Sequence, residues 1–79
     1  MRASANAQTI RTWLRKAKMD LHYLSVHLEE HGNKATAARV AGNTKAAKYE
    51  EEIVEMYYRR IKELRTVIAD QESKLSNIH

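Results

Sequence analysis

The residues best equipped for chemistry lie together in His27-Leu28-Glu29-Glu30-His31. On a helix, His27 and His31 stand one turn apart on the same face. Two imidazoles at that spacing can share a zinc ion, while the Glu30 carboxylate serves as base toward metal-bound water. The chemistry would be hydrolysis. Such a centre also needs a third ligand from elsewhere, a cleft and a long chain, whereas this pattern sits on the last turn before Gly32 in a chain of 79 residues. The plainer reading puts both imidazoles near the exposed end of a helix, where they meet its negative pole.

The string H-x-x-E-H resembles the zinc-binding segment of inverted zinc peptidases, and the resemblance is confined to those residues. No nucleophile elbow, phosphate-binding glycine loop or separated pair of buried carboxylates accompanies it. The sequence therefore points away from an enzyme, and no cofactor, bound metal or small-molecule substrate is expected. A zinc-dependent hydrolase built on His27, Glu30 and His31 ranks third among the functional readings.

A second constellation is electrostatic. Arg11, Arg15, Lys18 and His22 step by four, three and four, with Lys16 adjacent, forming a basic stripe along one helix. Lys34, Arg39, Lys45 and Lys48 add a further basic cluster. A stripe of this kind can track phosphates, so these residues are candidate contacts for nucleic acid or for an acidic protein. The opposing reading is an ordinary solvated helix face, with Glu50, Glu51, Glu52 and Glu55 as counter-charges. Net charge is +4, and it is unevenly placed: residues 1–48 hold nine Lys or Arg against three acids, and residues 49–79 hold five against seven. The basic half is where an acidic partner belongs.

The elements that position these groups are helical. The chain has no proline, two glycines and no phenylalanine, and is rich in Ala, Lys, Arg, Glu and Leu, so the fold class is all-α with no sheet. Ile10, Leu14, Ala17, Leu21, Leu24 and Leu28 recur at steps of four and three and form one heptad seam. Val54, Tyr57, Ile61, Leu64, Ile68, Leu75 and Ile78 form a second, with Gln71 its only polar member. Ser4, Asn6 or Thr9 can cap the first helix, and Gly32 and Asn33 can end it. Between the seams lies an alanine-rich stretch, interrupted at Gly42 and Asn43. Asn43 is suited to cap a new helix.

The segment Ala41-Gly42-Asn43-Thr44-Lys45-Ala46-Ala47-Lys48-Tyr49 resembles the turn between paired helices in tetratricopeptide and microtubule-interacting-and-transport domains. The chain holds no second copy of that repeat, and a single repeat cannot bury its own faces. The resemblance implies helix packing and no function.

The expected architecture is a small helical bundle forming a single domain over residues 1–79. Helix 1 covers about 6–31, a short helix 2 about 34–41 and helix 3 about 44–76; a two-helix hairpin results instead if one helix runs through Gly42. Helix 1 and helix 3 bury their seams on each other. A core this small gains from association, and cysteine is absent, so the bundle is expected to dimerise. A parallel zipper of the last helix is disfavoured, since Arg60 would face Arg65 and Ile53 would face Tyr58. Val67 and Ile53 widen its apolar face, which suits a bundle of three or four helices.

The leading functional reading is a non-enzymatic protein-protein interaction module: a small regulator, inhibitor or assembly adaptor that works through a helix face. Its expected anchors are Trp13, Met19, Tyr23, Val26, Tyr57 and Tyr58. A nucleic-acid-binding helical dimer using Arg11, Arg15, Lys16, Lys18 and His22 is the alternative. No apolar run is long enough for a signal peptide or a membrane span, so a cytoplasmic protein with no membrane partner is expected.

Overall fold

Two seven-residue repeats run through the chain without a break, one from Ala7 to Ala38 and one from Ala47 to Leu75. In the first, Ala7, Leu14, Leu21, Leu28 and Ala35 take heptad position a, and Ile10, Ala17, Leu24, His31 and Ala38 take position d. In the second, Ala47, Val54, Ile61, Ile68 and Leu75 take a, and Glu50, Tyr57, Leu64 and Gln71 take d. A computed structural model describes residues 2–77, with side chains from Ala7 onward. It folds them into α1 (Arg2–Val40) and α2 (Thr44–Ser76), packed antiparallel as a hairpin of 61 × 15 × 13 Å. Every seam residue named above is buried or half-buried; outside the seams, among the described residues, only Ser25, Gly32, Ala46 and Ile53 are shielded to that degree.

The described residues therefore hold two helices in place of the three expected. The break anticipated at Gly32 and Asn33 is absent, because α1 continues through both to Val40. Its seam explains why. His31, Ala35 and Ala38 prolong the stripe begun by Leu28, and a helix ending at Gly32 would leave the alanine turns unpacked. The cost of an interior glycine, about 1 kcal/mol, is outweighed by burying those turns. Residues 34–41, expected as a separate short helix, are the last turns of α1, which ends at Val40, and the first residue of the turn. At the other end α1 starts at Arg2, so Ser4, Asn6 and Thr9 lie within it and do not cap it. Ile78, expected to close the second seam, lies outside the described residues.

The break at Gly42 and Asn43 is present, so no helix runs through Gly42, and its chemistry is explicit. Gly42 takes the left-handed conformation at φ 76°. Its N–H donates to the Arg39 carbonyl at 3.0 Å, and the Asn43 N–H donates to the Ala38 carbonyl at 2.8 Å. This pair of bonds satisfies carbonyls that a helix end would otherwise leave free. Asn43 then caps α2, its side-chain oxygen accepting from the Ala46 N–H at 3.1 Å. One residue closes the first helix and opens the second, which makes the turn short enough to set the register of the seams.

The core is a line of contacts along that register. Leu14, Ala17 and Ile68 form its centre, with Ile10, Leu21, Leu64 and Leu75 packed around them. Alanines at 35, 38 and 47 flank the turn, and larger side chains fill the distant end. Among the described residues no large side chain is fully buried. Two helices have no second layer to cover them.

The two glycines predict opposite responses. A Cβ at Gly32 meets nothing within 4 Å in a helical backbone, so Gly32→Ala should raise stability by about 0.5–1 kcal/mol. Gly42→Ala forces a side chain into the left-handed region and should lower stability by about 1–2 kcal/mol. Urea denaturation of the two variants checks both signs.

Candidate protein interaction surface

An antiparallel pair of heptad helices has two flanks, one lined by the e positions of both helices and one by the g positions. Here the two are chemically unlike. On the e flank Lys18 of α1 donates to Glu72 of α2 at 3.0 Å. Nearer the turn, Arg39 grips Glu51 with two bonds, Nε to Oε2 at 2.7 Å and Nη2 to Oε1 at 2.6 Å. These bonds hold the Glu51 carboxyl below its ordinary pKa and raise that of the Arg39 guanidinium. Arg11, Arg15 and His22 extend the polar character of this flank along α1.

The g flank is the more apolar of the two, its large exposed apolar side chains interspersed with charged ones. Positions g and the neighbouring c carry Trp13 and Tyr23 from α1, and Tyr49, Ile53, Met56 and Val67 from α2. Between the helices lies a groove of ≈ 500 Å³, floored by Leu24, Tyr57 and Leu64 and lipped by Trp13 and Val67. Asp20, Arg60 and Glu63 edge it with charge. An apolar floor with a charged rim is the composition of a protein-binding surface.

The histidines serve this arrangement. They do not sit at a helix C-terminus, because α1 runs on to Val40. His27 and His31 both stack on Tyr57, at centroid distances of 5.8 and 5.6 Å. His31 also approaches Glu50, Nδ1 to Oε2 at 2.6 Å, with the two side chains 21% and 17% exposed. His31 and Glu50 are the polar d residues nearest the turn, and each is the other's partner, so neither is left unpaired in the seam. His27 approaches Glu30 at 3.7 Å. Among the described residues no group of three or more His, Cys, Asp or Glu side chains could hold a metal ion.

The residues singled out as anchors are divided by the structure. Trp13, Tyr23 and Tyr57 share the groove. Met19 and Val26 take position f on the back of α1, at 57% and 38% exposure, and Met19 lines a small separate hollow with Lys18, His22 and Tyr23. Tyr58 is on the e flank. Of the basic stripe, Arg11, Arg15, Lys18 and His22 lie on the e side, while Lys16 takes a c position on the other. Met56 and Tyr49, not singled out from sequence, lie on the apolar flank. Their signal is the c position, visible once the register of α2 is fixed at Ala47. No helix among the described residues is long and apolar enough to cross a membrane. No protein-family model, curated protein or solved structure matches this chain.

Two measurements test the site's electrostatics. Glu50→Ala strips His31 of its partner in a half-buried position and should cost about 1–3 kcal/mol. For Glu51, whose folded pKa is depressed, the stabilising contribution is fully present above the ordinary carboxylate pKa and is lost as pH falls through the lowered value. Glu51→Gln should therefore lower the melting temperature above about pH 5, with the difference from wild type vanishing in strong acid.

Proposed function

We propose that this chain is a non-enzymatic protein-protein interaction module, a small helical regulator, inhibitor or assembly adaptor whose working surface is the g flank of the hairpin. The observation that carries this reading is the asymmetry of the flanks. Two ion pairs bridge the helices on one side, and the other presents a groove with Trp13 at its lip and a hydrophobic floor. Association that covers apolar area and immobilises an aromatic anchor is how such grooves contribute binding energy. The partner's matching feature is an apolar helix face, recognised by residues spaced at three and four. Self-association belongs to this reading, since the hairpin cannot fully bury even its own seam.

The nucleic-acid reading has weaker support. Lys18 is paired with Glu72 and Arg39 with Glu51, so two of its cations are already neutralised. Arg11, Arg15 and His22 remain for an acidic partner on the e flank.

Substitution on the two flanks tests the proposal. Trp13→Ala should abolish association, read as solution mass or co-elution with a partner, and Tyr58→Ala on the opposite flank should leave it intact. The reverse result would move the working surface to the e flank. A companion titration with random duplex DNA at rising salt should show no binding that Arg11→Glu and Arg15→Glu abolish.

A further inference from the structure

The apolar flank is complementary to itself. On α1 its g and c positions run Trp13, Lys16, Asp20, Tyr23, His27, Glu30 and Lys34. Inverting that order about Tyr23 sets Lys16 against Glu30, Asp20 against the His27 imidazole, and Trp13 against the Lys34 ammonium, a cation over an aromatic ring. On α2 the corresponding inversion falls between Arg60 and Glu63. It sets Arg60 against Glu63, Met56 against Val67, and Tyr49 against Lys74; only Ile53 against Asp70 is a poor match. Tyr23, Arg60 and Glu63 line the same stretch of the groove, so the two centres of inversion are level. One axis serves both helices.

We propose that the flank is covered by a second copy of this chain, related by a two-fold axis perpendicular to the helices at Tyr23. The product is a four-helix bundle in which α1 packs antiparallel on α1 of the second copy, α2 on α2, and the two turns lie at opposite ends. A two-fold contact must be self-complementary, because each residue that touches its counterpart's neighbour does so twice. A two-fold axis along the helices fails this requirement. It would pack α1 on the α2 of the second copy at the same level and set Asp20 against Glu63 and Trp13 against Asp70.

Surface area points to the same occupant. The hairpin exposes 6330 Å², whereas a compact chain of 9.2 kDa exposes about 4,900 Å². Its radius of gyration of 17.7 Å compares with about 12 Å for a globular domain of this length. The excess, about 1,400 Å² per chain, exceeds the roughly 800 Å² that each partner contributes to a standard interface. Doubling the hairpin supplies the missing second layer along its whole length. It leaves Met19, Val26 and the basic side chains of the e flank outward for a further partner.

This inference rests on the interaction-module reading and identifies its first partner. The test is charge reversal with the solution mass as readout, using the full chain. Wild type should sediment at twice the mass of one chain. Arg60→Glu brings four acids together across the axis, and Glu63→Arg four bases, so each variant alone should dissociate about 100-fold more readily. Mixed in equal amounts, the two variants should restore the dimer, because each then meets its opposite on the other chain. Arg60 and Glu63 are exposed, and unchanged helicity by circular dichroism will show that each variant folds. A wild-type dimer indifferent to both reversals, or one whose mixed variants stay apart, overturns the arrangement. A strictly monomeric wild type overturns it too. In that case a groove that still takes up an added amphipathic helical peptide, and loses it with Trp13→Ala, leaves the interaction-module reading standing, and a groove that binds nothing removes both.

Discussion

Everything in this molecule depends on two heptad seams meeting across one short turn. Neither helix is held by much else: no disulfide is possible, and the cross-helix ion pairs lie at half-exposed positions where solvent weakens them. The seam decides where the helices go, and the Gly42-Asn43 turn decides which residues face each other. With that register fixed, two polar members of the seam become partners. His31 meets Glu50, and the imidazoles of His27 and His31 both stack with Tyr57. The residues that first suggested zinc chemistry become part of the packing near the turn.

The all-helical class, both seams and the Asn43 cap were legible from residue spacing alone. The error lay at Gly32. Glycine followed by asparagine is a strong local signal for a helix end, and here the alanines beyond it override that signal. Ala35 and Ala38 carry the heptad on, but alanine is a weak marker of burial, since it is as common on a helix surface as inside. The continuation was visible in phase and faint in hydrophobicity. Gly42-Asn43 is the same dipeptide as Gly32-Asn33, and what separates the two is that the first seam ends before Gly42 and the second begins after it.

The candidate site was legible in part for a related reason. Trp13, Tyr23 and Tyr57 drew attention as aromatics, and the structure brings them into one groove. Met19 and Val26 share helical spacing with Tyr23 yet lie outside the groove, because their f positions are turned roughly 40–60° further from the seam than the c position of Tyr23. Spacing within a single helix names a stripe. Which stripe lies beside the second helix, and hence which can form a groove, follows only from the register between helices. The division into an ion-paired flank and a grooved one is a property of the pair, and the positions of Lys18, Glu72, Arg39 and Glu51 on the same side follow only from the folded hairpin.

The central claim is that the open flank is an interface and becomes covered. The chain's single tryptophan stands at the lip of the groove, 38% exposed in the hairpin, and reports directly on that event. Its emission maximum should move to shorter wavelength as protein concentration rises through the dimerisation range, with far-UV helicity constant. An emission maximum that stays fixed across that range, while the mass doubles, would show that association uses another face and would contradict the account.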